Sequence, residues 1–121
     1  MTNEVALMVV RAGDLDVGLD AARVQEVLPL AQWNGEAALD LLQQVGATGA
    51  AGDARILVVT RQGREPLAAL VSGAVTLRHI ARADMLPLPP ELRAHVAWLS
   101  HVVISEGQTP LLVVDTERLG R

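Results

Sequence analysis

The chain of 121 residues contains no cysteine, no phenylalanine and no tyrosine, its ten basic residues are all arginine, and its only aromatic side chains of that class are Trp33 and Trp98. Each absence excludes something. Without cysteine there is no disulfide, no thiol nucleophile and no thiolate metal ligand. Without lysine a glycine-rich phosphate loop lacks its cation, so the Gly46, Gly49 and Gly52 series is read as a loop. So few aromatics leave no stacking platform for single-stranded nucleic acid. A net charge of -4 runs against the clustered basic face that phosphate backbones require. No apolar run approaches the roughly 18 residues of a membrane span. Met1-Thr2-Asn3-Glu4 is not a basic leader, and the apolar run after it ends at Arg11. The expectation is a cytoplasmic protein with no signal peptide, no membrane insertion and no nucleic-acid partner.

Half of the residues are apolar, so the core must be built from Val, Leu, Ile and Ala. The length suits one domain, 1–121, able to bury a core without staples. Asp14 to Leu30 organises the rest. Leu15, Val17 and Leu19 alternate with Asp14, Asp16, Gly18 and Asp20, a period of two that predicts a half-buried strand of an antiparallel sheet. Asp20 is placed to cap a helical corner at Ala21-Ala22-Arg23. Val24 to Leu28 is a second strand, stopped by Pro29.

Val5 to Val10 predicts a buried strand that forms a hairpin with the next through Ala12-Gly13-Asp14. Trp33-Asn34-Gly35 predicts a turn. Glu36 to Val45 has helical spacing and good helix formers, and Gly46 to Gly52 is a loop. Arg55 to Thr60 and Pro66 to Ser72 predict a hairpin with Gln62-Gly63 at its tip, and Ala74 to Ile80 a third strand, with Val75 and Leu77 on one face. Met85 to Pro90 reads as a rigid connector and Glu91 to Leu99 as a short helix with Pro90 at its first position. Val102-Val103-Ile104 and Leu111 to Val114 flank a turn at Glu106-Gly107-Gln108, and Asp115 caps a terminal turn running to Leu119. About eight short strands with turn signals every 8–12 residues or so predict a mainly β barrel or sandwich.

No enzyme motif emerges. His79, His95 and His101 lack partners at metal-ligand spacing. Ser72 lacks a nucleophile elbow, Ser100-His101 is an adjacency only, and nothing singles out a carboxylate pair such as Glu26 with Asp115. No catalytic residue, metal site or cofactor is expected. The remaining candidates are apolar: Val24 and Val27, and Val71 and Val75, read as core strands or as the lining of a groove for a partner helix.

In order and spacing, several stretches resemble the CheW-like chemotaxis coupling domain. Arg23 to Leu28 after the Gly13-Asp14-Leu15-Asp16-Val17 hairpin is similar to its first third. Arg55 to Val59 with the Gly63 turn, then Leu70 to Val75, resembles the strand pair that ends in Gly-Leu-Val-Val-Asp-x-Val; the proline stretch 85–90 and Leu111 to Leu119 follow in order. Two departures stand out. Ser72 or Gly73 replaces the Asp of that motif. Pro29 and Asp40 are eleven positions apart, with Asn34-Gly35 where the family has Arg-Gly. About twenty residues, the length of two strands and their turns, are missing around 30–40.

The resemblance implies a pair of small SH3-like β-barrels, one incomplete, with a few short helices. It implies an adaptor between the cytoplasmic tip of a chemoreceptor and the regulatory domain of a histidine kinase, with the receptor helices in a groove including Val24, Glu26, Val27, Leu70, Val71 and Val75. The missing strands imply reduced or absent kinase coupling, hence an accessory or competitor. A full coupling protein, or an unrelated small β-barrel interaction module, is the alternative.

Overall fold

The computed structural model describes residues 3–12, 15–33, 38–44, 54–104, 107 and 109–119. The apolar run and the alternating stretch after it pair as anticipated: β1 (Glu4–Ala12) and β2 (Leu15–Asp20) form an antiparallel hairpin from Leu7 opposite Asp20 to Ala12 opposite Leu15. Arg11 and Asp16, opposite each other, form a 3.0 Å ion pair across it. The Asp20 carboxylate accepts the Ala22 amide at 3.0 Å and caps a 3-10 turn at Ala21–Arg23. β3 (Val24–Pro29) leaves that corner. Pro29 is the last residue of β3 rather than its stop, and a further 3-10 turn follows at Leu30–Gln32.

The next segment departs from expectation. In place of a helix from Glu36 to Val45, Leu39–Asp40 forms β4 and only Leu41–Gln44 is helical, as α1. β5 (Ala54–Arg61) and β6 (Arg64–Ala81) are an antiparallel hairpin turning at Gln62-Gly63, with Gly63 at φ 69°. β4 runs parallel to β6, Leu39 beside Ala69 and Asp40 beside Leu70. Backbone pairing available at that edge of β6 outweighs the helix propensity of Leu39 and Asp40. Asn34, Gly35, Glu36, Val45 and the Gly46 to Gly52 loop lie outside the described residues.

The stretches read as two strands, Pro66 to Ser72 and Ala74 to Ile80, are one 18-residue strand. Gly73, at φ 80°, is the joint. Ser72 pairs with Ala54 of β5 on one edge and with Arg11 of β1 on the other, so the strand passes from one partner to the next without a loop.

A 3-10 turn at Arg82–Asp84 leads to β7 (Met85–Pro87), which pairs antiparallel with β8 (Leu99–Val103). The proline stretch is therefore partly a strand, tolerated because β7 ends the sheet, where a missing N–H is harmless. α2 (Pro90–Arg93) is a single turn with proline at its start, and Leu99 already belongs to β8. β9 (Leu111–Val114) completes a hairpin with β8, with Gly107 at φ 74° between them and Ile104 exposed beyond β8. Asp115 accepts the Glu117 amide and caps a 3-10 turn at Thr116–Arg118, as its sequence predicts.

The strand order is β3-β5-β6-β1-β2-β9-β8-β7, with β4 beside β6. Two cores form on this one sheet. The first includes Val10, Val17, Leu19, Leu57, Val59, Ala69, Val71, Val114 and Leu119, with Leu41 of α1. The second is Leu7, Val9, Ile80, Val103, Leu111 and Val113. The layer β1-β2-β9 therefore has a core on each face, which accounts for the unbroken apolar runs of β1 and β9. It also corrects the reading of β2. On the face read as outward Asp20 is exposed and Asp16 half-buried, but Gly18 between them is buried, and a Cβ there would meet Leu7 Cδ1 at 3.3 Å. Nor is the sheet wholly antiparallel, since β2 and β9 run parallel, Asp16 beside Leu111 and Gly18 beside Val113.

The molecule is mainly β, nine strands among the described residues with a few short helices, as anticipated. One half, β6-β1-β2-β9-β8-β7, carries the second core. The other has, among the described residues, β3, β5 and the first part of β6, with the two-residue β4 added. Among the described residues no helix is long and apolar enough to cross a membrane.

Candidate functional site: an apolar seam at the bend of β6

Strand register assigns each apolar side chain to a face. Val27 stands opposite Leu57 and Leu57 opposite Ala69, so this row runs from two fully buried residues to Val27, 39% exposed on edge strand β3. Val24 stands opposite Val59 on the same face and packs against the first core. Beyond Gly73, Val75 also packs against that core. Leu77, two residues on, lies in the row Leu77–Met8–Leu19, which runs from a buried leucine through a half-buried methionine to a leucine 55% exposed. The first core therefore has two exposed aliphatic margins, one on β3 and one on the second half of β6. Past Ser72, the edge of β6 that bonded β5 carries no strand among the described residues.

Of the residues the sequence singled out, Val24, Val27, Val71 and Val75 belong to this seam. Val71 is 5% exposed and lies beneath it as core. Glu26 and Leu70 are neighbours of Val27 and Val71 along their strands and so point to the opposite face, that of Ile56 and Val58. Leu77 and Met8 are added by the structure. Leu77 is legible in its alternation with Val75, whereas Met8 needs the β1–β6 register.

Arg55 is a further addition. It stands opposite Pro29 on one side and Val71 on the other, on the face of Leu57, and its guanidinium donates to the Gly73 carbonyl at the bend. It is half-buried, a charged group at the foot of an aliphatic seam.

In a second region the polar groups are held by capping bonds and ion pairs. A cleft of about 310 Å³ is bordered by Asp20, Arg23, Arg82, Ser100, His101, Asp115 and Glu117, among others. Asp20 caps Ala22; Asp115 caps Glu117 and faces Arg93 at 3.7 Å and Arg118 at 3.6 Å; Glu117 accepts the Gln62 amide at 2.9 Å and 3.1 Å. Ser100 Oγ donates to the Val113 carbonyl at 3.2 Å, and His101 Nδ1 lies 2.9 Å from the same hydroxyl. Glu26 sits exposed on edge strand β3, whereas Asp115 is held by its cap and its arginines. Among the described residues no three histidine or acidic side chains gather as a metal site.

No protein-family model matches the sequence, and no curated protein matches it significantly. Fourteen chains of solved structures match the fold. One is the scaffolding protein TtCheW from Thermoanaerobacter tengcongensis, which superposes with a TM-score of 0.72 at 17% identity over 95% of this chain and 85% of that one. The strand order, the two cores and this superposition together give the chain a CheW-like fold.

Proposed function

We propose that this chain is a chemosensory adaptor that binds the cytoplasmic tip of a chemoreceptor through the seam at the bend of β6, and couples to a histidine kinase weakly or not at all. The observation that carries the proposal is the pair of aliphatic margins, Val24 and Val27 on β3 and Val75 and Leu77 on β6, bordering one core in a CheW-like fold. Aliphatic rows that run from a fully buried residue out to an exposed one suit an amphipathic helix, which continues the core outward instead of starting a new contact. Within the proposed site Val24, Val27 and Val75 touch the receptor, Val71 supports them from below, and Glu26 and Leu70 line the other face of the same strands. The chain acts by binding, not by catalysis, and its place of work is the cytoplasm, where receptor tips lie.

The half of the sheet that holds β3 supports the reading of weak kinase coupling. Between β3 and β5 the described elements are the short turn at Leu30–Gln32, the two-residue β4 and the four-residue α1, where the resembled family has a strand pair. Solution titration against a soluble chemoreceptor tip and, separately, against a kinase regulatory domain tests both parts. The expected outcome is receptor binding with kinase binding at least about tenfold weaker, a difference of roughly 1.4 kcal/mol. Equal binding to both makes the chain a full coupling protein. Binding to neither removes the adaptor reading.

A further inference from the structure

We infer that Arg55 is the charged anchor of the seam, and that the segment docking there is an apolar helix carrying one Asp or Glu side chain set to meet its guanidinium. This rests on the adaptor reading above and specifies the chemistry of the partner at that same site. Arg55 lies between Pro29 and Val71 on the seam face, on the row next to Val27, and reaches to Gly73 just before Val75. Its row, Pro29–Arg55–Val71, lies between the margin at Val27 and the bend that leads to Val75, which places a charge among aliphatic neighbours.

A guanidinium carries five N–H donors, and the acceptor that Arg55 has among the described residues is the Gly73 carbonyl, with no carboxylate in an ion pair with it. Half-buried, it still exchanges its remaining hydrogen bonds with water. A helix laid across Val27 and Val75 removes that water. A desolvated cation left without a counter-charge opposes binding, whereas a carboxylate accepting two parallel N–H bonds restores it. Arg55 therefore acts as a filter: it disfavours purely aliphatic segments and admits those with an acid at the right place.

The test is calorimetric titration of a soluble chemoreceptor tip fragment into the full chain, with each Asp and Glu of the fragment neutralised in turn to Asn or Gln. We expect one neutralisation to weaken binding by about tenfold or more. Arg55→Gln is expected to match that loss and flatten the salt dependence, and Arg55→Glu to bind a fragment only when the same acid is changed to Arg. Arg55→Lys keeps the charge without the fork and is expected to recover part of the affinity. The fragment-side changes leave this chain untouched, so a folding defect in an Arg55 variant does not blunt the test. Val27→Arg separates the two levels. If the wild-type chain binds and Val27→Arg abolishes it, yet every neutralisation stays within about twofold of wild type, the Arg55 inference is overturned and the adaptor reading stands. If the wild-type chain does not bind at all, both fall.

Discussion

Gly18 and Gly73 are required for different reasons. Gly18 sits in β2 between β1 and β9, and its missing side chain leaves room for Leu7 and Leu111, whose Cδ1 atoms would lie 3.3 Å and 3.5 Å from an added Cβ. An alanine needs a few tenths of an ångström of give from the end of Leu7 alone, with Leu111 at ordinary contact distance, whereas Gly18→Val overfills the second core. We expect Gly18→Val to lower unfolding free energy by about 1–3 kcal/mol, read as an earlier urea midpoint. Gly73 is needed for its backbone, since φ 80° is a region that side chains with a Cβ resist. Gly73→Ala is expected to cost about 1–2 kcal/mol and to disturb receptor binding as well, because the bend that it forms orients Arg55 and Val75. The alternation of β2 drew Gly18 on the solvent face. That reading fails because alternation marks which residues share a face and cannot count how many layers cover it.

At the scale of elements, the C-terminal turn shows how short-range signals and distant contacts combine. Its start was legible in Asp115, whose carboxylate caps Glu117. Its role was not. The Glu117 carboxylate accepts the Gln62 amide at the tip of the β5–β6 hairpin, stands 4.0 Å from Arg23, and its backbone carbonyl accepts from Arg64. Leu119 next to it is fully buried in the first core. The turn thus ties the hairpin tip to the end of β9 across more than fifty residues of sequence. Glu117→Ala is expected to speed hydrogen exchange at the Gln62 amide, with a global loss of about 1 kcal/mol or less. A loss confined to global unfolding, with no selective change at Gln62, would contradict the tie. β4 illustrates the opposite case. Glu36 to Val45 favours helix locally, yet Leu39 and Asp40 extend along β6 because an open backbone edge lies beside them. Pairing partners sixty or more positions apart in other strands, such as Glu4 with Ala81, escape local propensity in the same way.

For the whole molecule, the seam depends on a core that must stay closed while its margins stay open. That gives a contrast between neighbours in one row. Leu57 is fully buried and Val27, opposite it, is 39% exposed. Leu57→Ala is expected to destabilise by about 2–5 kcal/mol, measured by thermal or denaturant unfolding. Val27→Arg, on the edge strand, is expected to leave the melting temperature within a few degrees while removing receptor binding. Were Val27→Arg to unfold the chain, Val27 would be a core residue and the seam would lose one wall.

The sequence by itself determined the mainly β character, the corner from Asp14 to Leu30, the hairpin at Gln62-Gly63, the capped end at Asp115 and the aliphatic residues from which a site could be made. These rest on periods of two, capping carboxylates and turn residues, which act over a few positions. Only the tertiary structure decided that β6 is one strand bent at Gly73, that β1, β2 and β9 are covered on both faces, and that Val24, Val27 and Val75 share a face while Glu26 and Leu70 turn away. It also brought Arg55 to the foot of the seam. Which side of a strand meets solvent depends on what packs there, and that is set by register between strands far apart along the chain.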